Sequence, residues 1–407
     1  MRILLIHNYY TQPGGEDVVF EAERALLERY GHEVITFVED NAQVNKVNPF
    51  KAAVDTIWSR EAQRNIRKLI EQSRPDVVHF HNTFLRISPA AYYVVKEMGL
   101  PVVQTLHNYR LICPGALLMR DGHLCEDCLD KVIPWPGIVY SCWRNSRMGT
   151  AVVTAMLTVH RLLKTWIKQV DVYIALTEFA RRKFIEGGLP AEKISVKPNF
   201  IYPDPGKGEH GGNFALFVGR LSAEKGVKTL LSAWRLLKGI PLKVVGDGPL
   251  MAEIRECVER EGLAVEVLGR RSREEVFAFM RSASFLLFPS EWYEGFPMTI
   301  AEAFACGLPV VASQLGVMAE IVEDGRTGLL FEPGNPEDLA EKVEWAWTHP
   351  KEVKRMGEEA RREYEEKYTA ERNYRMLMEI YQLAMERTSG DYSQSRVKSN
   401  VKIFKMR

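Results

Sequence analysis

The chain contains no long apolar run, and this absence argues against a membrane-spanning helix. No segment reaches the ~18 apolar residues that such a helix needs. The opening residues, 1–10, hold an apolar run of four residues that is typical of a strand rather than of a signal peptide. We therefore expect a cytoplasmic protein.

An excess of charge of one sign is missing as well. Lys and Arg together number 54, and Asp and Glu together number 53, which gives a formal net charge of +1. Proteins that bind nucleic acids generally carry a basic excess, so we expect no nucleic-acid partner.

Cysteine is scarce, but its distribution is uneven. Four of the six cysteines lie between positions 113 and 142, in a segment (111–143) with little apolar periodicity. In a reducing compartment such clustering indicates a shared metal more readily than disulfides, and the two-residue gap of the middle pair is that of a zinc knuckle. Two interpretations stay open: a structural zinc, or small buried residues with at most one disulfide. The residues concerned are Cys113, Cys125, Cys128 and Cys142.

Short apolar strands and amphipathic helices alternate along the chain. This pattern is typical of an α/β protein with parallel sheets and helices on both faces. A stretch rich in Pro, Gly and charge indicates a flexible linker. The predicted segments are an N-terminal domain over 1–200 that includes the Cys-rich segment, the linker over 201–213, a C-terminal domain over 214–368, a packed helix over 369–390, and a basic, disordered tail over 391–407.

Two cations flank a predicted strand-to-helix turn in the second half. A buried strand ends at Gly219, and a helix begins after Gly226. Ligands of open α/β sheets bind at the carboxyl ends of the strands. The fork of Arg220 and the point charge of Lys225 at this turn suit a diphosphate.

Two carboxylates eight residues apart lie around the start of a later helix. The sequence EGFPMTIAEA places Glu294 just before this helix and Glu302 about a turn and a half inside it. We place Pro297 in the first turn, where its missing N–H costs nothing. The N–H groups at a helix start suit a phosphate. With a phosphate-bearing ligand held there, each carboxylate would accept a hydrogen bond from a hydroxyl group of that ligand.

Glycines follow two further predicted strands in the second half. Gly246 and Gly248 come after the strand over 242–245, where they would let a ligand approach the backbone. Arg270 comes after the strand over 265–268. These strand ends extend the predicted ligand site.

Taken together, the motifs resemble those of the retaining group 1 (family 4) glycosyltransferases of the GT-B architecture. The resemblance spans almost the whole chain and is specific in its order and spacing. Its pieces are Gly14-Gly15, His107 after a strand, Thr177-Glu178-Phe179, Pro198-Asn199, Gly219-Arg220 with Lys225, Gly246-Asp247-Gly248-Pro249, and the carboxylate pair. It implies two Rossmann-like domains that face each other across a cleft, with a C-terminal helix that crosses back to the N-terminal domain.

The resemblance implies a function in polysaccharide biosynthesis. A sugar would move from a UDP- or GDP-linked donor in the C-terminal domain to a glycan or lipid-linked acceptor in the N-terminal domain, with retention of anomeric configuration. Arg220 and Lys225 would stabilise the departing diphosphate, and Glu294 would contact the transferred sugar. His107 would hydrogen-bond this sugar near the reacting bond. The donor-binding residues would be Gly15, Gly246, Gly248, Arg270, Met298, Thr299 and Glu302.

The chain departs from the family pattern at two positions. Asn108 follows His107 where many relatives have Asp, which puts an acid–base role of that pair in doubt. Pro297 stands where many relatives have Gly, which removes one N–H donor. No two aspartates stand two positions apart, so the Asp-x-Asp metal pair of many glycosyltransferases is absent and we expect catalysis without a cofactor.

The segment over 152–170 is predicted to form one basic amphipathic helix. Its apolar face would carry Val152, Met156, Val159, Leu163, Trp166 and Val170, and its basic face Arg161, Lys164 and Lys168. Two interpretations stay open: a domain helix with a solvated face, or a surface that rests on the inner face of an anionic membrane. A lipid-linked acceptor would be reached there.

Two other functions suit the same motifs. A sugar-nucleotide epimerase would change the donor sugar without an acceptor, and a catalytically silent partner would bind the nucleotide-sugar without reaction. The intact set of Arg220, Lys225, Glu294 and Glu302 argues against the silent partner. A phosphorylase would need a lysine for pyridoxal phosphate and a much longer chain.

Overall fold

The computed structural model describes residues 1–11, 14–42 and 48–390. Contacts divide these residues into two units. Unit 1 comprises Met1–Ala116, Glu126–Lys197 and the described residues from Tyr374 onward, and unit 2 comprises Leu117–Cys125 and Pro198–Asn373. The predicted tail over 391–407 lies outside the described residues.

Strands and helices alternate as the sequence predicts. The strands are Arg2–Tyr9 (β1), Glu33–Asp40 (β2), Val77–Phe80 (β3), Val102–Leu106 (β4), Met119–Arg120 (β5), His123–Leu124 (β6), Val172–Ala175 (β7), Ile194–Val196 (β8), Ala215–Val218 (β9), Leu242–Val245 (β10), Val265–Gly269 (β11), Phe285–Phe288 (β12), Val310–Ser313 (β13) and Gly328–Phe331 (β14). The α-helices are Gly15–Arg29 (α1), Pro49–Ile57 (α2), Arg60–Ser73 (α3), Ala91–Glu97 (α4), Trp135–Val139 (α5), Arg147–Leu162 (α6), Thr165–Lys168 (α7), Glu178–Glu186 (α8), Val227–Leu236 (α9), Met251–Glu261 (α10), Arg273–Ser282 (α11), Met298–Ala305 (α12), Met318–Ile321 (α13), Pro336–Thr348 (α14), Pro350–Lys367 (α15) and Ala370–Ser389 (α16). Among these helices, none combines the length and the apolar character that crossing a bilayer requires.

Unit 1 is built on a six-stranded sheet with the order β2-β1-β3-β4-β7-β8. Every neighbouring pair is parallel, and strands β3, β4 and β7 are buried along their whole length. Such burial is expected where helices cover both faces of a parallel sheet. The C-terminal helix α16 adds Leu377, Ile380, Tyr381 and Ala384 to the core around Ile3, Leu5 and Phe20. The prediction that this helix packs on the N-terminal domain is confirmed.

Unit 2 repeats the architecture with a second six-stranded parallel sheet, in the order β11-β10-β9-β12-β13-β14. Its core lies between the central strands and the helices α9, α14 and α15, around Phe217, Leu230, Leu287 and Met356. The predicted α/β fold with two parallel sheets is therefore confirmed.

Each sheet has one point at which the direction of strand addition reverses. In unit 1 the chain adds β2 on one side of β1 and β3 on the other, and in unit 2 it adds β10 on one side of β9 and β12 on the other. The loops beyond the carboxyl ends of such a strand pair diverge and leave a crevice for ligands. The topology therefore directs attention to the loops after β1 and β3, and to those after β9 and β12.

The predicted flexible linker over 201–213 is an anchored part of unit 2. Arg361 donates to the two carboxylate oxygens of Asp204 over 2.8 and 2.6 Å. Three N–H groups of the segment donate to carbonyl groups of the body of unit 2: Gly208 to Cys306, His210 to Arg281, and Gly212 to Ser282. The prediction of flexibility is wrong because the Gly-rich composition serves close backbone contact here.

The predicted single helix over 152–170 is two helices. The chain turns at Lys164, which has a φ of 56°, and α6 and α7 lie on either side. Met156, Trp166 and Val170 from the predicted apolar face are buried in the core. The face of α6 that packs on the rest of unit 1 also contains Thr150, Thr154 and His160. The periodicity of apolar residues therefore predicted the wrong side of this helix to be buried.

Candidate active site

The turn after β9 packs directly on the loop after β12, at the point of reversal in unit 2. The N–H of Glu291 donates to the carbonyl of Glu224 over 2.9 Å. Gly226 has a φ of +66°, and a Cβ there would lie 1.8 Å from the carbonyl oxygen of Pro289. Only glycine fits between the two loops, so this contact fixes Lys225 beside the residues that follow β12.

Lys225 and Glu294 form an ion pair at this crevice. The Nζ of Lys225 lies 2.6 Å from Oε1 of Glu294, and the hydroxyl of Ser290 donates to the same oxygen over 2.7 Å. The ammonium group also lies 5.3 Å from the ring centroid of Trp292, within range of a cation–π interaction. Glu294 is buried and Lys225 is half-buried. The two predicted residues therefore meet, although the prediction had given them to different parts of the ligand.

Arg220 lies at the end of β9 with an exposed side chain. Among the described residues its guanidinium group has no hydrogen-bond or ion-pair partner. It is thus a cation available to an anion that enters the crevice, with five N–H donors in a planar fork.

The glycines after β10 are required by the protein's own backbone. Gly246 has a φ of 148°, and a Cβ there would lie 1.8 Å from the carbonyl oxygen of Gly219. A Cβ at Gly248 would lie 2.4 Å from the carbonyl oxygen of Leu221. The loops after β9 and β10 pack on each other, and this packing alone requires glycine at both positions. The predicted approach of a ligand would be a second reason for glycine there.

Helix α12 begins one residue later than predicted. Pro297 is the N-cap and not the first helical residue, and its carbonyl accepts from the N–H of Ile300 over 3.0 Å. The N–H of Met298 donates to the carbonyl of Phe296 over 3.0 Å. The N–H of Thr299 has no acceptor among the described residues, so it is the available donor at this helix start.

Glu302 is held in an apolar environment on α12. Burial raises the pKa of its carboxyl to about 7, and the guanidinium of Arg273 at 4.0 Å opposes this shift only in part. Arg270, the predicted neighbour of the base, is exposed. Sequence reasoning missed Arg273. The feature that could have indicated it is its position at the start of α11, within the capping box of Ser272 and Glu275.

In unit 1 the predicted residue His107 lies beyond the carboxyl end of β4, next to His81 beyond β3. Its Nε2 lies 3.0 Å from Nδ1 of His81, and the two rings stack with centroids 5.2 Å apart. Burial, followed by the neighbouring His81, holds the pKa of His107 well below its usual range. His107 is therefore a neutral imidazole at pH 7.

Glu16 is a second group that sequence reasoning missed. Asn82 donates to its Oε1 over 2.8 Å and Asn108 to its Oε2 over 2.9 Å. Burial raises the pKa of this carboxyl to about 8. The departure at position 108 thus has a physical reason, because an aspartate there would place a second carboxylate against Glu16. The available signal was the position of Glu16 directly after Gly14-Gly15 at the start of α1.

Gly15 is the first residue of α1. A Cβ at Gly14 or Gly15 would meet no described atom within 4 Å, and neither residue needs a left-handed backbone. The space at this turn is open, which is compatible with the predicted approach of a ligand.

The zinc site predicted at the four cysteines stays a prediction. Among the described residues, the His, Cys, Asp and Glu side chains whose ligand atoms lie within 4.8 Å of one another are Glu23, His79 and His81. Arginine side chains hold the Cys-rich segment, since Arg110 donates to the carbonyl of Pro114 and Arg161 to that of Lys131. These two hydrogen bonds contribute to the order of the segment, whether or not it binds a metal.

Two family models together match residues 13–363 of the chain. The model described as Glycosyltransferase Family 4 matches residues 13–204, and the model described as Glycosyl transferases group 1 matches residues 203–363. The first match covers most of unit 1, and the second covers the loops of unit 2 that carry Arg220, Lys225 and Glu294.

The chain spans about half the length of the curated relatives that it matches. An uncharacterised glycosyltransferase of Methanocaldococcus jannaschii is 40% identical over 173 residues, which are 42% of this chain and 48% of the relative. A D-rhamnosyltransferase of Pseudomonas aeruginosa is 33% identical over 165 residues, which are 39% of this chain and 42% of the relative. The chain thus shares a segment of this size with enzymes whose names specify sugar transfer.

Solved structures match over nearly the whole chain. Sucrose-phosphate synthase of Thermosynechococcus elongatus has a TM-score of 0.69 at 16% identity, over 94% of this chain and 98% of that one. HepE of Anabaena, solved in complex with UDP, has a TM-score of 0.66 at 18% identity, over 93% of this chain and 99% of that one. At these identities the likeness establishes the fold, and the predicted GT-B fold is confirmed.

Proposed function

Because the chain belongs to the group 1 glycosyltransferases, we propose that it transfers a sugar from a UDP- or GDP-linked donor to a glycan or lipid-linked acceptor, with retention of anomeric configuration. One observation carries this proposal. The point of reversal in unit 2 combines the exposed Arg220, the Lys225–Glu294 pair and the start of α12. HepE of Anabaena, which has the same fold, has been solved with UDP.

The arrangement suits the departure of a nucleoside diphosphate. Cleavage of the sugar–phosphate bond puts negative charge on the diphosphate, and cations fixed in advance stabilise that charge without reorganisation. Arg220 and the N–H of Thr299 are available donors. Lys225 is already held by Glu294, whose carboxylate also accepts from the hydroxyl of Ser290, so the position of the ammonium group costs little further entropy. Glu294 would accept hydroxyl groups of the transferred sugar.

A screen of nucleotide-sugars by thermal shift tests donor binding first. A bound donor raises the apparent stability by mass action, and we expect a shift with a UDP- or GDP-linked sugar that the free sugar does not give. Incubation of the selected donor alone then separates the alternatives. A changed sugar that is still attached to the nucleotide indicates an epimerase. Binding without turnover across a panel of glycan and lipid-linked acceptors indicates a silent partner.

Transfer should persist in excess EDTA. The cations that the site offers to a diphosphate are side chains, and the chain has no Asp-x-Asp pair. The measurement is release of nucleoside diphosphate with and without chelator, with added magnesium or manganese as the comparison. Loss of transfer in EDTA that either metal restores, while the circular dichroism spectrum is unchanged, would contradict a metal-independent mechanism.

Donor affinity should rise about tenfold between pH 6 and pH 8. Ribose hydroxyls donate to a carboxylate, so binding favours the ionised form of Glu302. With a pKa of about 7, the ionised fraction rises from about one tenth at pH 6 to about nine tenths at pH 8. Calorimetry should use an intact nucleotide-sugar, whose diphosphate does not titrate in this range. The variant Glu302→Gln should bind with a flat pH profile. A slope that survives in this variant would assign the titration to another group.

The exposed face of α6 suits contact with an anionic membrane. Met148 and Leu162, fourteen residues apart, lie on one side of the helix and are 79% and 68% exposed. Val152, Ala155 and Val159 continue the stripe between them and are half-buried. The neighbouring helix α2 adds Phe50, which is 80% exposed. Exposed basic residues border this surface: Lys51, Arg144, Arg147, Lys164 and Lys168.

Substitution of the two most exposed residues of the stripe should weaken vesicle binding. Each large apolar side chain that enters a bilayer interface contributes roughly 1.5–3 kcal/mol, so the double variant Met148→Glu/Leu162→Glu should lower binding at least about tenfold. Co-sedimentation with anionic and with neutral phospholipid vesicles measures this effect. The control Leu236→Glu changes an equally apolar exposed residue in unit 2. Equal binding of all three proteins to anionic vesicles would contradict the membrane surface.

A further inference from the structure

A chain of polar side chains runs through unit 1 to His107. Lys197, which follows β8, places its Nζ 2.9 Å from Oε2 of Glu23 on α1. The other oxygen of Glu23 lies 3.3 Å from Nε2 of His81, whose Nδ1 lies 3.0 Å from Nε2 of His107. Lys197, Glu23 and His81 are each 1% exposed or less. None of the three has a part in the proposed transfer.

The charges in this chain are fixed by their neighbours. Burial alone would raise the pKa of the Glu23 carboxyl, but the Lys197 ammonium and the two adjacent histidines hold it well below its usual range. Burial, followed by the neighbouring His79, lowers the pKa of His81 to about 3. At pH 7 a carboxylate therefore faces a neutral imidazole, which stacks on the neutral imidazole of His107.

The carboxylate decides which nitrogen of each ring carries the hydrogen. A neutral imidazole has one N–H and one lone pair. Nε2 of His81 lies 3.3 Å from an oxygen of Glu23, and a lone pair there would meet negative charge. This nitrogen therefore carries the hydrogen, although the contact does not have the geometry of a standard hydrogen bond. Nδ1 of His81 then accepts a hydrogen bond from Nε2–H of His107. The Nδ1 of His107 is left with a lone pair and has no partner among the described residues.

A metal ion is a weaker explanation of the same cluster. Glu23, His79 and His81 lie close enough to share an ion, but the Lys197 ammonium already supplies the positive charge at Glu23. His79 is also occupied, with its Nδ1 2.9 Å from the hydroxyl of Tyr381 and its Nε2 2.8 Å from that of Thr105. The polar groups of the cluster thus have partners without a metal. The effect of the cluster that remains to be explained is the orientation of His107.

We infer that Glu23 and His81 are positioning residues, which hold His107 in the tautomer with its hydrogen on Nε2 so that Nδ1 accepts a hydrogen bond from a hydroxyl group of the bound sugar. The identification of the ligand as a sugar rests on the proposed function, whereas the assignment of the His107 tautomer does not depend on it. A lone pair attracts a hydroxyl donor and repels a carboxylate or phosphate oxygen. The chain thereby selects a neutral, hydroxyl-bearing group at this position.

The tautomer can be measured directly in the whole protein. Two-bond 1H–15N correlation spectra of protein labelled with 15N-histidine distinguish protonated from unprotonated ring nitrogens, and the spectrum of His107→Gln assigns the signals of His107. We expect a hydrogen on Nε2, a lone pair on Nδ1, and no titration between pH 6 and pH 8. A hydrogen on Nδ1 of His107 would overturn the inference, whether or not the protein transfers sugars.

Variants at position 81 separate positioning from simple packing. His81→Leu removes the acceptor for His107, so we expect a mixture of tautomers and a loss of about ten- to a hundredfold in kcat/KM. His81→Asn keeps an oxygen acceptor near the place of Nδ1 and should restore the tautomer and most of the activity. His79→Asn disturbs the same buried cluster without touching His107, and both readouts should stay near wild type. An unchanged tautomer in His81→Leu, or equal losses at positions 79 and 81, would overturn the inference.

Discussion

Replacement of Arg220 or Lys225 by alanine should lower sugar transfer by at least about a hundredfold. Loss of one preorganised group that stabilises developing charge typically has an effect of this size. The two variants should lose activity for different reasons. Arg220→Ala removes an exposed cation, whereas Lys225→Ala also leaves the buried carboxylate of Glu294 without the ammonium group 2.6 Å from it. We therefore expect the larger loss of kcat at Lys225.

The control for this pair lies one turn further along the same segment. Lys228 on α9 is exposed and contacts Glu253 over 3.5 Å at the surface, so Lys228→Ala changes charge equally and should leave kcat close to wild type. Steady-state rates at saturating donor measure all three variants. Near-normal turnover in both Arg220→Ala and Lys225→Ala would remove the diphosphate clamp from the proposed mechanism.

Replacement of Lys197 by methionine should destabilise unit 1 by about 3–5 kcal/mol. Its partner Glu23 is 1% exposed, and removal of one member of a buried pair leaves an uncompensated charge in the protein interior. The cost should shrink as the pH is lowered, because burial without Lys197 raises the pKa of the Glu23 carboxyl and its protonation neutralises the lone charge. In the wild-type protein the pKa of Glu23 is lowered, so the stability that this pair contributes is lost only below about pH 4.5. Urea unfolding, with separate transitions allowed for the two units, measures the change.

The double variant Lys197→Met/Glu23→Gln tests the cause of this loss. It removes the charge as well as its partner and should recover a large part of the stability. The surface pair of Arg24 and Glu28 is the comparison, since both side chains are more than 40% exposed and Arg24→Ala should cost less than about 1 kcal/mol. Equal costs for Lys197→Met and Arg24→Ala would show that the buried pair contributes no more than a surface pair.

Glycines show how far a sequence-based inference reaches. The sequence correctly predicted that Gly246 and Gly248 follow a strand, because a Gly-rich turn after an apolar run is a local signal. It could not show that the atoms nearest to them are carbonyl oxygens of Gly219 and Leu221. Those oxygens belong to the turn that follows the neighbouring strand β9, and their approach exists only once β9 and β10 are paired.

Helix α6 shows where the sequence was misleading. A hydrophobic face is inferred from apolar periodicity on the assumption that the buried side is the apolar one. Here the buried side includes His160, which is satisfied by the hydroxyl of Thr165 and the carbonyl of Ile57. The apolar side is exposed at its two ends, Met148 and Leu162, and half-buried between them. A buried polar residue needs partners from distant parts of the chain, and no local pattern records them.

The sequence by itself determined the two parallel α/β units and their strand ends, and it predicted Arg220, Lys225, Glu294 and His107 as site residues. The strands and the turns after them rest on patterns that span a few neighbouring positions, such as a buried strand followed by a turn, whereas the role of His107 rests on the resemblance of the whole chain to the family. Only the tertiary structure decided that Lys225 pairs with Glu294, that Asn108 and Asn82 enclose Glu16, and that Glu23 reaches His107 through His81. Burial sets the charge and tautomer of these groups, and burial is a property of the packed chain rather than of any segment of it.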